Sequence, residues 1–156
     1  MIRVPVALDR TFDLPVGKAT AFELLSDIPA WGALYPRVAS LDPLPERGVL
    51  AWRWRMEPMG PPGFEARITY GCHYTIDPQR HAVTWAPLEG VGNSLFSGAA
   101  ELMGGANLCS GRLRLKADLE IPAPRFVRPL VQAQVGFEMG RMTDTFIRRV
   151  RDELAG

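Results

Sequence analysis

Residues 109–154 read CSGRLRLKADLEIPAPRFVRPLVQAQVGFEMGRMTDTFIRRVRDEL. The first thirteen alternate between apolar or small and polar side chains, which is the period of a β-strand with one buried face. From Val131 to Leu154 the apolar residues recur every three or four positions, which is the period of an amphipathic helix. We therefore expect a strand over 109–121 and a long helix from Pro129 to Leu154.

Six further strands are predicted upstream of this stretch. The clearest are residues 65–76 and Leu50–Glu57, where the same alternation is uninterrupted. Weaker patterns place strands at 2–13, Val38–Leu44, Ala82–Leu88 and Asn93–Met103. From residue 38 onward the connections are short and rich in Gly and Pro. Such connections join antiparallel neighbours, because a parallel crossover needs about a dozen residues or more.

Two short helices are predicted between the first and second strands. Residues Lys18–Leu25 place Ala19, Phe22 and Leu25 on one face. Asp27, followed by Pro29, has the residue types of an N-cap and a first helical turn, so a second helix is expected to begin there and to end near Pro36.

The dimensions of these elements predict a curved sheet. The long helix would measure about 39 Å in length and about 10 Å in width, whereas seven strands side by side span roughly 30 Å. One flat-lying helix cannot cover such a sheet. The predicted fold is therefore α+β, with a curved antiparallel sheet of about seven strands (order β-α-α-β6-α) around a long C-terminal helix, in a single domain over 1–156. A cavity between sheet and helix is expected.

The chain resembles the START-like superfamily, whose helix-grip fold occurs in polyketide cyclases, birch-pollen-allergen relatives and coenzyme-Q-binding proteins. The resemblance rests on Arg10–Val16, on Ala21–Trp31, and on Val83–Trp85 with Asn93 and Phe96–Gly98. It implies a hydrophobic ligand in the cavity between sheet and helix, but the superfamily has no shared catalytic residue to carry over. The proline-rich segment Pro58–Pro62 departs from the family pattern.

The candidate cavity residues are large or flexible side chains on the predicted inner faces: Trp52, Trp54, Tyr70, Cys72, Tyr74, Trp85, Phe96, Leu113, Val135, Met139 and Met142. Aromatic walls with a few hydroxyl groups are typical of ligand pockets, although the same residues could simply fill a core. Arg10 shares the inward parity of its strand. Arg10 is therefore a candidate site residue, where it would need a carboxylate partner or an anionic ligand, unless a bulge turns it outward.

Composition excludes several other classes. Apolar residues make up 47% of the chain, and its net charge of +1 gives no basic surface for nucleic acid. No stretch has the length and apolarity of an integral membrane segment. The two cysteines form neither a disulfide framework nor a zinc pattern, which fits a cytoplasmic protein with no metal and no cofactor. No catalytic motif is present, which favours a non-enzyme.

Three hypotheses about function remain open on the sequence. The first is binding, transport or sequestration of a hydrophobic small molecule such as a lipid, isoprenoid or quinone. The second is a polyketide cyclase or dehydratase that uses groups such as Tyr70, Tyr74 or Arg10. The third is a closed-core module that meets a protein partner or a second copy of itself.

Overall fold

The computed structural model describes residues 1–156, and it contains one sheet of seven strands and three α-helices. The strands are β1 (Ile2–Leu14), β2 (Val38–Pro43), β3 (Ala51–Met56), β4 (Thr69–Asp77), β5 (Ala82–Leu88), β6 (Ser94–Gly104) and β7 (Cys109–Ile121). The helices are α1 (Lys18–Leu25), α2 (Ile28–Leu34) and α3 (Arg128–Ala155), with 3-10 turns at Pro45–Arg47 and Arg125–Val127. The predicted α+β class and element order are confirmed.

Strands β2 to β7 form an antiparallel meander, and β1 pairs with β7 at one edge of the sheet. Its strand order is β1-β7-β6-β5-β4-β3-β2. The longest ladder joins β1 to β7 over their whole lengths, from Ile2 opposite Ile121 to Leu14 opposite Cys109. Every consecutive pair from β2 to β7 is antiparallel, as the short connections predict.

The helices begin where the sequence predicts. The Asp27 carboxylate accepts a hydrogen bond from the backbone N–H of Ala30, which caps α2. Pro29 and Pro129 each lie in the first turn of a helix, where the missing N–H has no partner to lose. α3 places Val131, Val135 and the later members of its apolar stripe in the core, and it packs against β1.

Strand β4 begins later than predicted. The alternation from residue 65 indicates a strand, but the ladder with β3 starts only at Thr69. Before that point the backbone of Ala66 exchanges both hydrogen bonds with Met59, in the proline-rich connection that follows β3. Ala66 thus pairs with this connection, while the carbonyl of Ile68 accepts from the N–H of Met56 at the end of β3, and residues 65–68 do not extend the regular strand.

The buried residues form one core cluster between the sheet and the helices. In β7 every second residue is buried, as the alternation requires. None of the helices combines the length and the apolar character that crossing a membrane would need.

Candidate functional site

A cavity of about 40 Å³ lies between the inner face of the sheet and α3. Its wall is made of aromatic and aliphatic side chains from α2, β3, the following connection, β4 to β7, and α3. They are Trp31, Tyr35, Trp54, Met56, Met59, Tyr70, Tyr74, Trp85, Phe96, Leu113, Leu115, Met139 and Met142. No charged side chain belongs to this wall, so the cavity is suited to apolar contents.

The aromatic rings of the wall are arranged in two directions. Tyr70 is stacked between Phe96, with ring centroids 3.8 Å apart, and Trp54, at 6.0 Å. Trp31 stands nearly perpendicular to Trp85, at 82° and 5.3 Å. Aromatic rings pack on one another in offset-stacked or edge-to-face geometry, so a wall of this composition is suited to an aromatic guest.

Three tyrosine hydroxyl groups approach the cavity, and two of them are already hydrogen-bonded. The hydroxyls of Tyr35 and Thr143 lie 3.0 Å apart, and the indole N–H of Trp54 donates to the Tyr74 hydroxyl at 2.8 Å. The hydroxyl of Tyr70 forms no hydrogen bond within the protein, and burial raises its pKa well above the ordinary value of 10.0. Tyr70 therefore stays protonated at neutral pH and has an O–H free to donate.

The connection between β3 and β4 covers one side of the cavity. Met59 is 3% exposed and is part of the wall. The Arg37 guanidinium donates to the carbonyl of Pro58 and lies 3.4 Å from Glu138 of α3, whose carboxylate also accepts from the backbone N–H of Gly60 at 3.4 Å. We call Arg37, Pro58, Gly60 and Glu138 the latch, because they join the segment after α2, the β3–β4 connection and α3.

The backbone of Arg37 in the latch has a strained conformation. Its φ is 61°, in the left-handed region that non-glycine residues rarely occupy. Its carbonyl accepts from the N–H of Glu57 at 2.8 Å, so the backbone as well as the side chain holds the connection. Such strain persists where surrounding contacts over-determine the conformation.

The chain matches no protein-family model and no curated protein, but it is similar to solved structures along nearly its whole length. A conserved protein from Geobacillus kaustophilus superposes with a TM-score of 0.70 at 13% identity, over 96% of this chain and 95% of that one. The Zhui aromatase/cyclase from Streptomyces sp. R1128 gives 0.68 at 15%, over 97% and 94%. A START superfamily protein from Mycobacterium smegmatis gives 0.62 at 12%, over 94% and 97%. The fold is the START-like helix-grip fold.

Within this helix-grip fold, eight of the residues predicted for the cavity share its wall. They are Trp54, Tyr70, Tyr74, Trp85, Phe96, Leu113, Met139 and Met142. They come from β3 to β7 and from α3, so the inward parity of each strand and the stripe of the helix converge on one space. Their role in binding a ligand stays a prediction.

The other four predicted residues lie outside the wall. Val135 is fully buried in the core. Cys72 is also fully buried, and its thiol donates to the carbonyl of Phe96 at 3.4 Å. Trp52 is opposite Cys72 in the β3–β4 ladder and half-buried. Arg10 does face α3, but its Nε lies 2.8 Å from the carboxylate of Asp144, so it has the carboxylate partner that an inward arginine needs.

Five wall residues were missing from the prediction. Trp31 and Tyr35 belong to α2 and its end, four positions apart, and this spacing was the signal for a shared helix face. Met56 and Leu115 follow the parity of Trp54 and Leu113 on their strands. Met59 lies in an irregular connection, for which periodicity offers no signal.

Proposed function

We propose that this protein binds a flat, apolar small molecule in the cavity of its helix-grip fold, and that the Tyr70 hydroxyl donates a hydrogen bond to an acceptor oxygen of that molecule. The observation that carries the proposal is a wholly uncharged wall with one unpartnered hydroxyl group. Seven of the thirteen wall residues are aromatic, which favours a ring system over a chain, so a quinone or an aromatic ketone fits this description better than a fatty acid. The proposal includes the eight predicted wall residues as ligand contacts.

Binding requires the cavity to expand. A volume of about 40 Å³ holds about three water molecules, which is less than a two-ring ligand needs. Four of the wall residues are methionines, Met56, Met59, Met139 and Met142. These side chains adapt to irregular contents at little cost because each has several rotatable bonds. We therefore expect the methionines to move aside and the aromatic rings to stay in place.

The test compares acetylnaphthalene with ethylnaphthalene, which have similar shapes but differ in one carbonyl oxygen. We expect the native protein to bind acetylnaphthalene more tightly, by about fivefold for one hydrogen bond, in a fluorescence titration. Tyr70→Phe should remove this preference and keep the affinity for ethylnaphthalene. Tyr35→Phe is the matched control and should keep the preference, because the Tyr35 hydroxyl already pairs with Thr143. An unchanged preference in Tyr70→Phe would rule out the assigned donor.

A cyclase-type enzyme is the second candidate, and the similarity to the Zhui aromatase/cyclase favours it. The difficulty is the absence of a base. Burial raises the pKa of the Tyr74 hydroxyl well above 10.0 and that of the Cys72 thiol to about 12. A general base works best with a pKa near the operating pH, so these groups can donate protons but not remove them. Turnover of a linear polyketide analogue by the native protein, lost in Tyr70→Phe, would favour the enzyme over the binding protein.

The small volume also favours the closed-core hypothesis, in which the rings simply fill the interior. The two naphthalenes distinguish that case as well. A closed core predicts no binding of either compound and no rise in melting temperature at any concentration below their solubility limits. A ligand that binds only the native state stabilises it by RT ln(1 + L/Kd), where L is the free ligand concentration, so either compound should raise the melting temperature if the cavity opens.

A further inference from the structure

The outer side of α3 carries apolar side chains that no part of the protein covers. Leu130 is 59% exposed and Phe137 is 63% exposed, and seven positions separate them, so both point away from the core. Phe126, in the 3-10 turn before α3, is 83% exposed. Single exposed apolar residues are normal on protein surfaces, but several along one face mark an interaction site.

The same surface is basic. Arg141 lies one turn after Phe137 on the same side of α3, Arg125 and Arg128 lie on either side of Phe126 in the sequence at the start of the helix, and none of the three forms an ion pair. The two nearby carboxylates are both paired: Glu138 belongs to the latch, and Asp144, on the same exposed side of α3 as Arg141, lies 2.8 Å from the Nε of Arg10. We call the six residues Arg125, Phe126, Arg128, Leu130, Phe137 and Arg141, which lie at the start of α3 and along its exposed side, the α3 outer face.

The arginines are placed to bind anions beside the apolar groups. The guanidinium of Arg141 lies 5.8 Å from the centre of the Phe137 ring, an arrangement in which the charge stays accessible above an apolar ring. Arg125 and Arg128 border a surface groove together with Met1, which is 74% exposed. Arginine is suited to phosphate because its planar group donates two parallel hydrogen bonds.

We propose that the α3 outer face docks this protein on the surface of an anionic lipid bilayer. Phe126, Leu130 and Phe137 would enter the boundary between head groups and acyl chains, and the three arginines would pair with lipid phosphates. Exposed aromatic and leucine side chains flanked by unpaired basic residues, beside carboxylates that are already paired, are the features of helices that lie in this boundary. The charge complementarity selects an anionic surface over a neutral one.

The proposal goes beyond ligand binding and does not depend on it. Docking by this face would fix the orientation of the cavity relative to the lipid surface. A groove formed by Pro36, Arg37, Glu138, Arg141, Met142 and Thr145 connects the two, because Arg141 belongs to the α3 outer face and Met142 to the cavity wall. Docking would therefore place the latch next to the lipid surface.

The test is sedimentation of the full chain with lipid vesicles. One set contains phosphatidylcholine and phosphatidylglycerol at about two to one, and the other contains phosphatidylcholine alone. We expect binding to the mixed vesicles that weakens as salt is raised, and much weaker binding to the neutral ones. Replacing Arg125, Arg128 and Arg141 together by Gln should lower the affinity about a hundredfold, since each basic residue near an anionic surface contributes roughly fivefold.

Apolar variants separate docking from simple charge attraction. Leu130→Ser with Phe137→Ser should lower the affinity for mixed vesicles by at least about tenfold. The matched control is Val49→Ser with Leu108→Ser, because Val49 and Leu108 are 94% and 66% exposed in the β2–β3 and β6–β7 connections. This control should bind as the native protein does. All these side chains are exposed, and unchanged melting temperatures would show that the variants fold.

Three results would overturn the proposal. The first is equal binding to neutral and mixed vesicles. The second is equal loss of binding in the control and the α3 variants. The third is no sedimentation with vesicles, together with a dimer in analytical ultracentrifugation that Leu130→Ser and Phe137→Ser dissociate, which would assign the α3 outer face to a contact between two copies of the chain.

Discussion

Between α3 and the β1–β7 pair the interior is filled by branched aliphatic side chains, whereas between α3 and strands β3 to β6 it is lined by aromatic rings and methionines. We call these regions the aliphatic end and the aromatic end. At the aliphatic end Val4, Leu119 and Val131 have no exposed surface, while the cavity lies at the aromatic end. Small branched side chains interdigitate without gaps, but rigid rings meeting at large angles leave a space that flexible side chains close.

Strand β7 crosses both ends and provides matched positions for testing this contrast. Leu119 is opposite Val4 in the ladder and has no contact with the cavity, whereas Leu113 is part of the cavity wall, on the same face of the same strand. Leu119→Ala should lower the free energy of unfolding by an amount near the upper limit of about 2–5 kcal/mol, and Leu113→Ala near the lower limit. Urea unfolding measures both. Equal losses would show that the two ends are packed alike.

A second prediction concerns the hydrogen bond inside the aromatic end. Tyr74→Phe removes the only acceptor of the Trp54 indole N–H, which is buried. Leaving a buried donor unpaired costs about 1–3 kcal/mol, and urea unfolding should detect that loss. Tyr35→Phe should cost less, because its partner Thr143 has a hydroxyl that can rotate. The reverse order would mean that the indole finds another acceptor when Tyr74 is truncated.

Adding volume tests the contrast in the opposite direction. Leu113→Phe places a larger side chain beside free space, and we expect the free energy of unfolding to change by less than about 1 kcal/mol. Leu119→Phe has no such space, so we expect a loss of about 1–3 kcal/mol from overpacking. The filled variant Leu113→Phe should also lose affinity for ethylnaphthalene. Retained affinity in a stable Leu113→Phe variant would place the ligand elsewhere.

The smallest effect is confined to alkaline pH. Burial raises the native pKa of Tyr70 and Tyr74 above the ordinary value of 10.0, so the native state holds these protons more tightly than the unfolded chain does. Stability from this source is complete below pH 10 and falls as pH rises through the native pKa values, by up to about 1.4 kcal/mol per pH unit for each tyrosine. Tyr70→Phe should reduce this slope in urea unfolding measured above pH 10. Leu113→Ala, which removes no titrating group, should leave it unchanged.

Much of the fold was predictable from the sequence because its main signals are periodic. The alternation in β7 and the stripe of α3 predict the bounds of these two elements to within a residue or two. The mismatch in width between seven strands and one helix then predicted the curved sheet. These inferences depend only on local pattern and on the dimensions of regular structure.

The remaining features depend on contacts between distant residues. Arg10 pairs with Asp144, which is 134 positions away in the sequence. No local pattern distinguishes an arginine with such a partner from a solvent-exposed one. Met59 reaches the cavity through an irregular connection, and its pairing with Ala66 also shortens β4. Strand parity predicts which face a side chain lies on, but not how far along that face the cavity extends, which is why Trp52 and Val135 fall outside it.

The alkylation rate of the Cys72 thiol can report how often the interior between the sheet and α3 opens. The thiol donates to the backbone carbonyl of Phe96, and burial raises its pKa to about 12, so its thiolate fraction at pH 8 is about one in ten thousand. Alkylating reagents should react with it only in molecules whose sheet has parted from α3. The alkylation rate of Cys72 therefore depends on how often the interior opens. A ligand that stabilises the closed form should lower this rate at the same reagent concentration.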